Sequence, residues 1–298
     1  MNINLKELQK AYQRGENITQ LLQANGINSQ EAIEIAYDLQ AGSYSDHALN
    51  HPDKVRLITD DIGLLFQPHV TELDTVLDCG TGEMTSLSGI THYLPSNIEL
   101  LAFDISLSRI KAGKEYAARA MVNGFSSKVR TFVAAMDKIP LPDNSVDVVM
   151  TAHALEPNHG REEILLKELF RVSRKKIILF EPSWEENSDE GRARMEKLGY
   201  VRGLPKHIQN LGGHLLECIR VKNTPNPLNP TFCYVIEVLK PALRKDGGRT
   251  PFTCPKTGEK LSLCSNYLWS EHGGYSYPII DGVPILREQC SILLTRKQ

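Results

Sequence analysis

The feature that most constrains this chain is the regular exchange of short apolar runs and helical stretches from residue 74 to residue 183. "DTVLDCG", "IELLAFDIS", "KVRTFVAAM", "SVDVVMTAH" and "KKIILFEPS" read as five buried strands. Helical segments lie between them, notably "SRIKAGKEYAARAMVNG" and "GREEILLKELFRVS". Short apolar strands joined by helices require a parallel sheet covered on both faces. The fold class expected is therefore α/β, with a doubly wound, mostly parallel sheet. Two more strands, "HLLECIRV" and "TFCYVIEVL", flank the turn-rich "KNTPNPLNP" and read as an antiparallel hairpin finishing that sheet.

Residues 1–70 are of another kind. "LKELQKAYQRG" and "NITQLLQANG" end on glycine, as helices do, and "NSQEAIEIAYDLQAG" opens on Asn and Ser cap candidates. "HPDKVRLITDDIGLLF" adds a helix with Pro52 near its start. At the other end "KPALRKDGGRTP" reads as a linker into a small β-rich module. The expected organisation is an N-terminal helical cap over 1–70, an α/β domain over 71–243 and a closing module over 250–298. A chain of 298 residues has room for all three.

The formal net charge is −2 with no basic block, so nothing electrostatic points to nucleic acid or a membrane surface. No apolar run approaches membrane-spanning length, and the N-terminus lacks a signal-peptide core. The six cysteines are scattered without paired spacings. Reduced thiols in a cytoplasmic protein are the expectation.

The chemistry concentrates where the first strand turns into a helix, "VLDCGTGEMTSL". Gly80 and Gly82 let the backbone bend sharply and approach a ligand closely. Asp78 can accept from a cationic amino group. Asp104 ends the second strand, 22 positions beyond Gly82. A doubly wound fold puts a ribose-binding carboxylate at that distance. A nicotinamide dehydrogenase would also use such glycines, but it explains neither "MDKIPLPDNSVDVV" nor the terminal hairpin.

Taken together, "VLDCGTGEMTSL", "LLAFDIS", "AAMDKIPLPDNSVDVVMTAHAL" and "LFRVSRKKIILFEP" resemble, in order and spacing, the signature segments of class I S-adenosylmethionine-dependent methyltransferases of the type 11 kind. The resemblance covers roughly residues 71–240 and implies a seven-stranded Rossmann-like sheet. It implies that S-adenosyl-L-methionine is the cofactor and S-adenosyl-L-homocysteine the product. Asp78, Gly80 and Gly82, with Glu83 beside them, would line the methionine part, Asp104 the ribose, and Ile105 the adenine. Met136 and Asp137 would meet the adenine ring, and Thr151 and His153 would face the sulfonium. Met84 stands where many members have a third glycine, so the helix must start differently there.

Methyl transfer aligns a nucleophile about 3 Å from an activated carbon, and a base helps only where the nucleophile must lose a proton. "TAHALEPNHGREE" offers His153 as the candidate base, Glu156 as a second catalytic candidate that could hold or neutralise an amine, and His159 as an acceptor contact. The segment is not Asn-Pro-Pro-Tyr, which in this family marks planar amide and base nitrogens. Tyr37, Gln40 and Tyr44 could form a lid over cofactor and acceptor. Glu181 and Trp184 follow the fifth strand at the edge where ligands of open α/β sheets bind. The function expected is methyl transfer to a hydroxyl, amine or other nucleophile of a small-molecule acceptor such as a sugar, lipid precursor or specialised metabolite. An rRNA, tRNA or protein methyltransferase is one alternative; a non-catalytic binding protein of this fold is another.

"CPKTGEKLSL" and "YSYPIIDGVPIL" resemble the two halves of the small zinc-ribbon protein that activates several methyltransferases. The four ligand positions of that family fall on Cys254, Thr257, Ser270 and Gly273, so one thiolate remains where a closed zinc site needs four ligands. The expectation is a degenerate ribbon without metal. Too small to be stable alone, it would bury Leu263, Trp269, Tyr277, Ile279 and Ile285 against the α/β domain or in a homodimer.

Overall fold

The computed structural model describes residues 4–238 and 249–296; residues 240–248 of the expected linker lie outside the described residues. The five expected strands are β1 (Thr75–Cys79), β2 (Glu99–Asp104), β3 (Arg130–Val133), β4 (Val146–Ala152) and β5 (Ser173–Pro182). Their mutual pairings are all parallel. With β6 (His214–Arg220) and β7 (Thr231–Glu237) they make a seven-stranded sheet in the order β3-β2-β1-β4-β5-β7-β6. β7 runs antiparallel to both its neighbours. The later strand of the hairpin is thus the inner one, and β6 is left as a largely exposed edge.

Side chains alternate across this sheet, as the two-residue period of a strand requires. Leu77, Leu101, Val149, Ile177, Leu179 and Tyr234 belong to one apolar layer. Val76, Leu100, Val148, Ile178, Phe180 and Val235 belong to the other. Both faces are buried, which is why the strands read as continuous apolar runs.

The N-terminal cap consists of α1 (Leu5–Gln13), α2 (Ile18–Ala24), α3 (Ser29–Leu39), α4 (Ser43–Asn50) and α5 (Pro52–Phe66). Asn4, Asn17 and Asn28 cap the first three through their side-chain oxygens. Gly15 and Gly26 follow α1 and α2 at φ +78° and +84°. Pro52 opens α5. The segment "IEIAYDLQAGSYSDHALN" is broken by Gly42 at φ +97° into α3 and α4. The crossover helices are α6 (Thr85–Ile90), α7 (Leu107–Ala120), α8 (Phe125–Lys128), α9 (Glu162–Val172), α10 (Asp189–Leu198) and α11 (Leu204–Asn210). Among the described residues no helix is long and apolar enough to cross a membrane.

The closing segment forms a small antiparallel sheet of β8 (Ser262–Leu263), β9 (Tyr267–Ser270), β10 (Tyr275–Ile280), β11 (Val283–Pro284) and β12 (Ile292–Leu293). It sits on the β3 edge of the large sheet. Leu286 N donates to Val133 O at 2.8 Å, and Ile285 bridges Val133 in parallel. Arg130 donates to Thr250 O at 2.7 Å, and Phe252 meets Phe132 edge-on at 5.0 Å. Arg287 reaches past this edge to pair with Glu34 on α3. Leu268, Tyr277 and Leu286 join one apolar layer of the large sheet, while Val283 and Ile285 join the other. Trp269, Tyr277 and Ile285 are buried as expected and Ile279 packs against the core. Leu263 is 71% exposed and buries nothing, because two-residue β8 is the outermost strand of its sheet.

The four ribbon positions converge without a metal set. A β-carbon on Gly273 would lie 2.6 Å from Ser270 Oγ and 3.0 Å from Thr257 Cγ2. Cys254 Sγ instead faces the Tyr277 hydroxyl at 3.3 Å. Among the described residues no cluster of His, Cys, Asp or Glu could hold a metal ion. The second loop is gathered by Glu259, whose carboxylate accepts from Ser270 Oγ, from His272 N and Nδ1 at 2.9 Å, and from Gly273 N at 3.1 Å. These donors, the His272 N–H first, hold the Glu259 carboxyl down to about 2. A group whose pKa is depressed on folding contributes stability above its ordinary value and loses it as pH falls through the folded value. Glu259→Gln is therefore expected to lower the thermal melting temperature at neutral pH. Melts of both proteins at descending pH check this: the gap narrows from about pH 4.5 down to about pH 2.

Candidate active site

The strand order reverses between β1 and β4, and a cavity of about 1230 Å³ opens at the carboxyl ends of the strands there. Gly80, Thr81, Gly82, Glu83, Asp104, Ile105, Met136, Asp137 and His153 line it, so most of the expected cofactor set is brought together. The turn after β1 folds back over β2: Gly80 N and Thr81 N both donate to Phe103 O, at 2.9 and 2.8 Å. Gly80 takes φ +74° and a β-carbon on it would stand 2.4 Å from that of Ala154, so only glycine fits. Gly82 N donates to Asp104 Oδ2 at 2.9 Å and Ser106 N to Oδ1 at 2.9 Å. Asp137 accepts from Gln30 at 3.0 Å and pairs with Arg161. Met84, buried at the start of α6, adopts φ +55°. The backbone there keeps the left-handed form that suits glycine, at a cost of roughly 1–2 kcal/mol for a side chain.

Two expected cofactor residues do not reach the cavity. Asp78 and Thr151 are buried within their strands and are not among its lining residues. Burial pushes the Asp78 carboxyl up to about 7, with a Thr81 hydrogen bond opposing and Asp104 adding to the rise.

Tyr37, Gln40 and Tyr44 line the cavity from α3 and α4, as a lid requires. This segment is fastened by Glu83. α4 has no side-chain cap of its own. The Glu83 carboxylate accepts from Gly42 N at 3.1 Å and from Ser45 N and Oγ at 2.7 Å, serving as a cap from another element.

His153 follows β4 at φ +55°. Its Nδ1 hydrogen-bonds the Glu156 carboxylate and its Nε2 lies 2.8 Å from Thr231 Oγ1. Glu156 also accepts from Asn229 at 3.1 Å and from the Tyr200 hydroxyl. Burial lowers the His153 pKa, but the hydrogen bond and charge of Glu156 outweigh it and the net shift is upward. Burial likewise raises Glu156, and its donors outweigh that, so it is held below the ordinary carboxylate value. An imidazole with Nδ1–H on a carboxylate keeps Nε2 as its proton acceptor. His159 sits on the cavity rim, half-exposed, with Nδ1 2.8 Å from Glu162.

Glu181 and Trp184, expected to contact an acceptor, are displaced from that role because neither lines the cavity. The fully buried Glu181 accepts from the backbone N–H groups of Ala154, Leu155 and Glu156 at 2.9, 3.0 and 3.1 Å. Burial pushes its carboxyl up to about 7 against the pull of His153 and those donors. Trp184 stacks under the Arg192 guanidinium at 5.0 Å, while Arg192 Nε donates to its carbonyl at 3.0 Å.

Against this geometry stand the likenesses to known proteins. Residues 76–176 match a family described as a methyltransferase domain. Over these residues the chain is similar to a methyltransferase domain. The ubiquinone/menaquinone biosynthesis C-methyltransferase UbiE of Azotobacter vinelandii is 33% identical over 93 residues, 31% of this chain and 34% of the relative. The chain thus spans about a third of that relative's length. A SAM dependent methyltransferase from Aquifex aeolicus superposes with TM-score 0.50 at 20% identity, over 66% of this chain and 98% of that one. A chain from the complex of the Haloferax volcanii Trm112 methyltransferase activator with a methyltransferase gives TM-score 0.51 at 16% identity, over 68% and 97%. At these identities the structures share the fold.

Among the residues lining the cavity, sequence reasoning missed Arg109, Tyr200, Asn229 and Thr231. Thr231 had a signal. It is the first residue of the reversed strand and pairs with Pro182 at the end of β5, so its side of β7 lies at the carboxyl edge of the sheet. Replacing Glu156 by Gln removes the nearest charge that holds the imidazolium and leaves burial opposed by the Glu181 charge. The His153 pKa is then expected to fall from its raised value. Titration of the His153 ring by NMR in both proteins checks this.

Proposed function

We propose that the protein transfers a methyl group from S-adenosylmethionine to a nucleophilic atom of a small-molecule acceptor, with His153 removing the acceptor's proton. The observation that carries the reading is the placement of the His153–Glu156 pair in the same cavity as the Gly80–Gly82 turn and Asp104. The residues present fit the cofactor. The positive-φ turn leaves room for close backbone approach, and Asp104 stands at the end of β2 beside it. Gly80 and Gly82 would hold the methionine part, Asp104 the ribose, and Ile105, Met136 and Asp137 the adenine. Bound there, S-adenosylmethionine supplies a methyl carbon activated by its sulfonium.

The chain's own residues do the rest. Glu156 orients the imidazole and stabilises its protonated form, with Asn229 and Tyr200 fixing the carboxylate. The Thr231 hydroxyl marks the direction in which Nε2 faces. Val55, Ile58 and Ile62 of α5 and Pro225 add an apolar wall. The loop carrying Pro225 is tied to α5 by Asn223, whose N and Nδ2 donate to Asp61 at 2.7 and 2.8 Å. A small acceptor rather than a macromolecule is supported by the cap: Tyr12, Asn17, Gln20 and Tyr44 add walls to the cavity beyond the sheet edge. The neutral total charge agrees with that reading.

Activity as a base needs neutral His153, whose pKa is raised, so methyl transfer at saturating cofactor is expected to rise with pH through a value above about 6.5. His153→Ala is expected to lower kcat by about 10²- to 10⁴-fold and to remove that limb. The check is calorimetric binding of S-adenosylmethionine, then methyl-transfer kinetics on a panel of hydroxyl, amine and carbon-acid acceptors. A protein that binds no cofactor at millimolar concentration would overturn the reading; an unchanged kcat in the variant would overturn the role of His153.

A further inference from the structure

The cavity holds a cation that neither the fold nor the His153 site accounts for. Arg109 lies in the first turn of α7, where the helix dipole disfavours positive charge. It is nine-tenths buried. Its guanidinium lies over the rings of Tyr37 and Tyr44, 4.8 and 5.0 Å from their centroids. A β-carbon on Gly82 would fall 2.5 Å from Nη2, so the glycine of the turn is also what admits this side chain.

What Arg109 lacks is an acceptor. Nε is buried with no hydrogen-bond partner. The nearest carboxylates, Glu83 and Asp104, stand at 4.0 and 3.9 Å, beyond hydrogen-bonding distance. Both are engaged elsewhere, Glu83 on the start of α4 and Asp104 on Gly82 N and Ser106 N. Arg161, the other guanidinium among the described lining residues, is spent on Asp137. A buried guanidinium with unspent donors is costly unless something fills them. Tyrosine rings pack on the guanidinium, and its planar fork is the shape that takes a carboxylate in a bidentate pair.

We infer that Arg109, held by Tyr37 and Tyr44, binds the α-carboxylate of the S-adenosylmethionine amino-acid moiety. This rests on the cofactor reading above. A carboxylate entering a pocket that already holds Asp104 and Glu83 needs a compensating cation, and Arg109 stands beside both. The lid tyrosines thereby act on the cofactor through the guanidinium they hold as well as by covering it.

Calorimetry on the full chain with S-adenosylmethionine and decarboxylated S-adenosylmethionine tests the inference, since the two ligands differ in that carboxylate alone. Wild-type protein is expected to bind the carboxylated ligand about 10- to 100-fold more tightly. In Arg109→Met that ratio collapses to within about 2-fold, while affinity for the decarboxylated ligand is kept. Equal affinities in the wild type, or a ratio that survives in Arg109→Met, overturn the inference while leaving the cofactor reading standing. Binding of neither ligand by the wild type overturns both. Should Arg109→Met fail to fold, the wild-type ratio still decides, and Arg109→Lys, which keeps the charge without the planar fork, is expected to show an intermediate ratio.

Discussion

The site depends on the carboxylate of Glu181. Three consecutive backbone N–H groups after β4, those of Ala154, Leu155 and Glu156, converge on it. A buried acid without partners would be neutral or excluded; donors that must themselves be satisfied make its burial tolerable and hold the loop in one shape. That shape puts His153 in the left-handed region and turns Glu156 back towards its ring. It also brings Ala154 against Gly80, so the loop after β4 and the turn after β1 share a wall. Cofactor turn and candidate base are therefore parts of one packing arrangement.

The same device recurs twice. Glu83 gathers the N-terminus of α4 and so holds the lid segment over the cavity. Glu259 gathers the second loop of the closing module, where the resembling ribbon would have thiolates around a metal. In each case a carboxylate from one segment satisfies backbone donors of another, which joins elements that apolar packing alone would leave free to slide. The closing module needs this least for its position. It continues the β3 edge through Val133 and shares both apolar layers of the sheet. The closing module thus covers a strand edge that would otherwise be open.

Much of the fold was legible. Strands buried on both faces leave continuous apolar runs, glycines and Asn caps mark the first helices, and the distance from Gly82 to Asp104 brings that acid to the turn. Helix α4 was not legible as a separate element, since its cap lies in Glu83, 41 residues onward. Glu181 and Trp184 were assigned to the acceptor because the end of β5 lies at the ligand edge. That position specifies where a residue is but not which way its side chain turns: Glu181 turns into the protein, and Trp184 packs with Arg192. Asp78 and Thr151 were likewise placed at the right height and face inward.

By itself, the sequence determined the α/β architecture, the likeness of its central domain to methyltransferases, and the turn and strand ends that meet at the cavity. These follow from local periodicity and spacing, which survive without contacts. Only the tertiary structure decided that β7 inserts beside β5, bringing Thr231 and Asn229 to His153, and that Tyr37 and Tyr44 close on Arg109. It also decided that the closing module sits on β3 and not on the cavity. Each of these is a meeting of segments far apart in the chain. Such meetings are selected by shared burial and by the satisfaction of buried polar groups, which no single segment encodes.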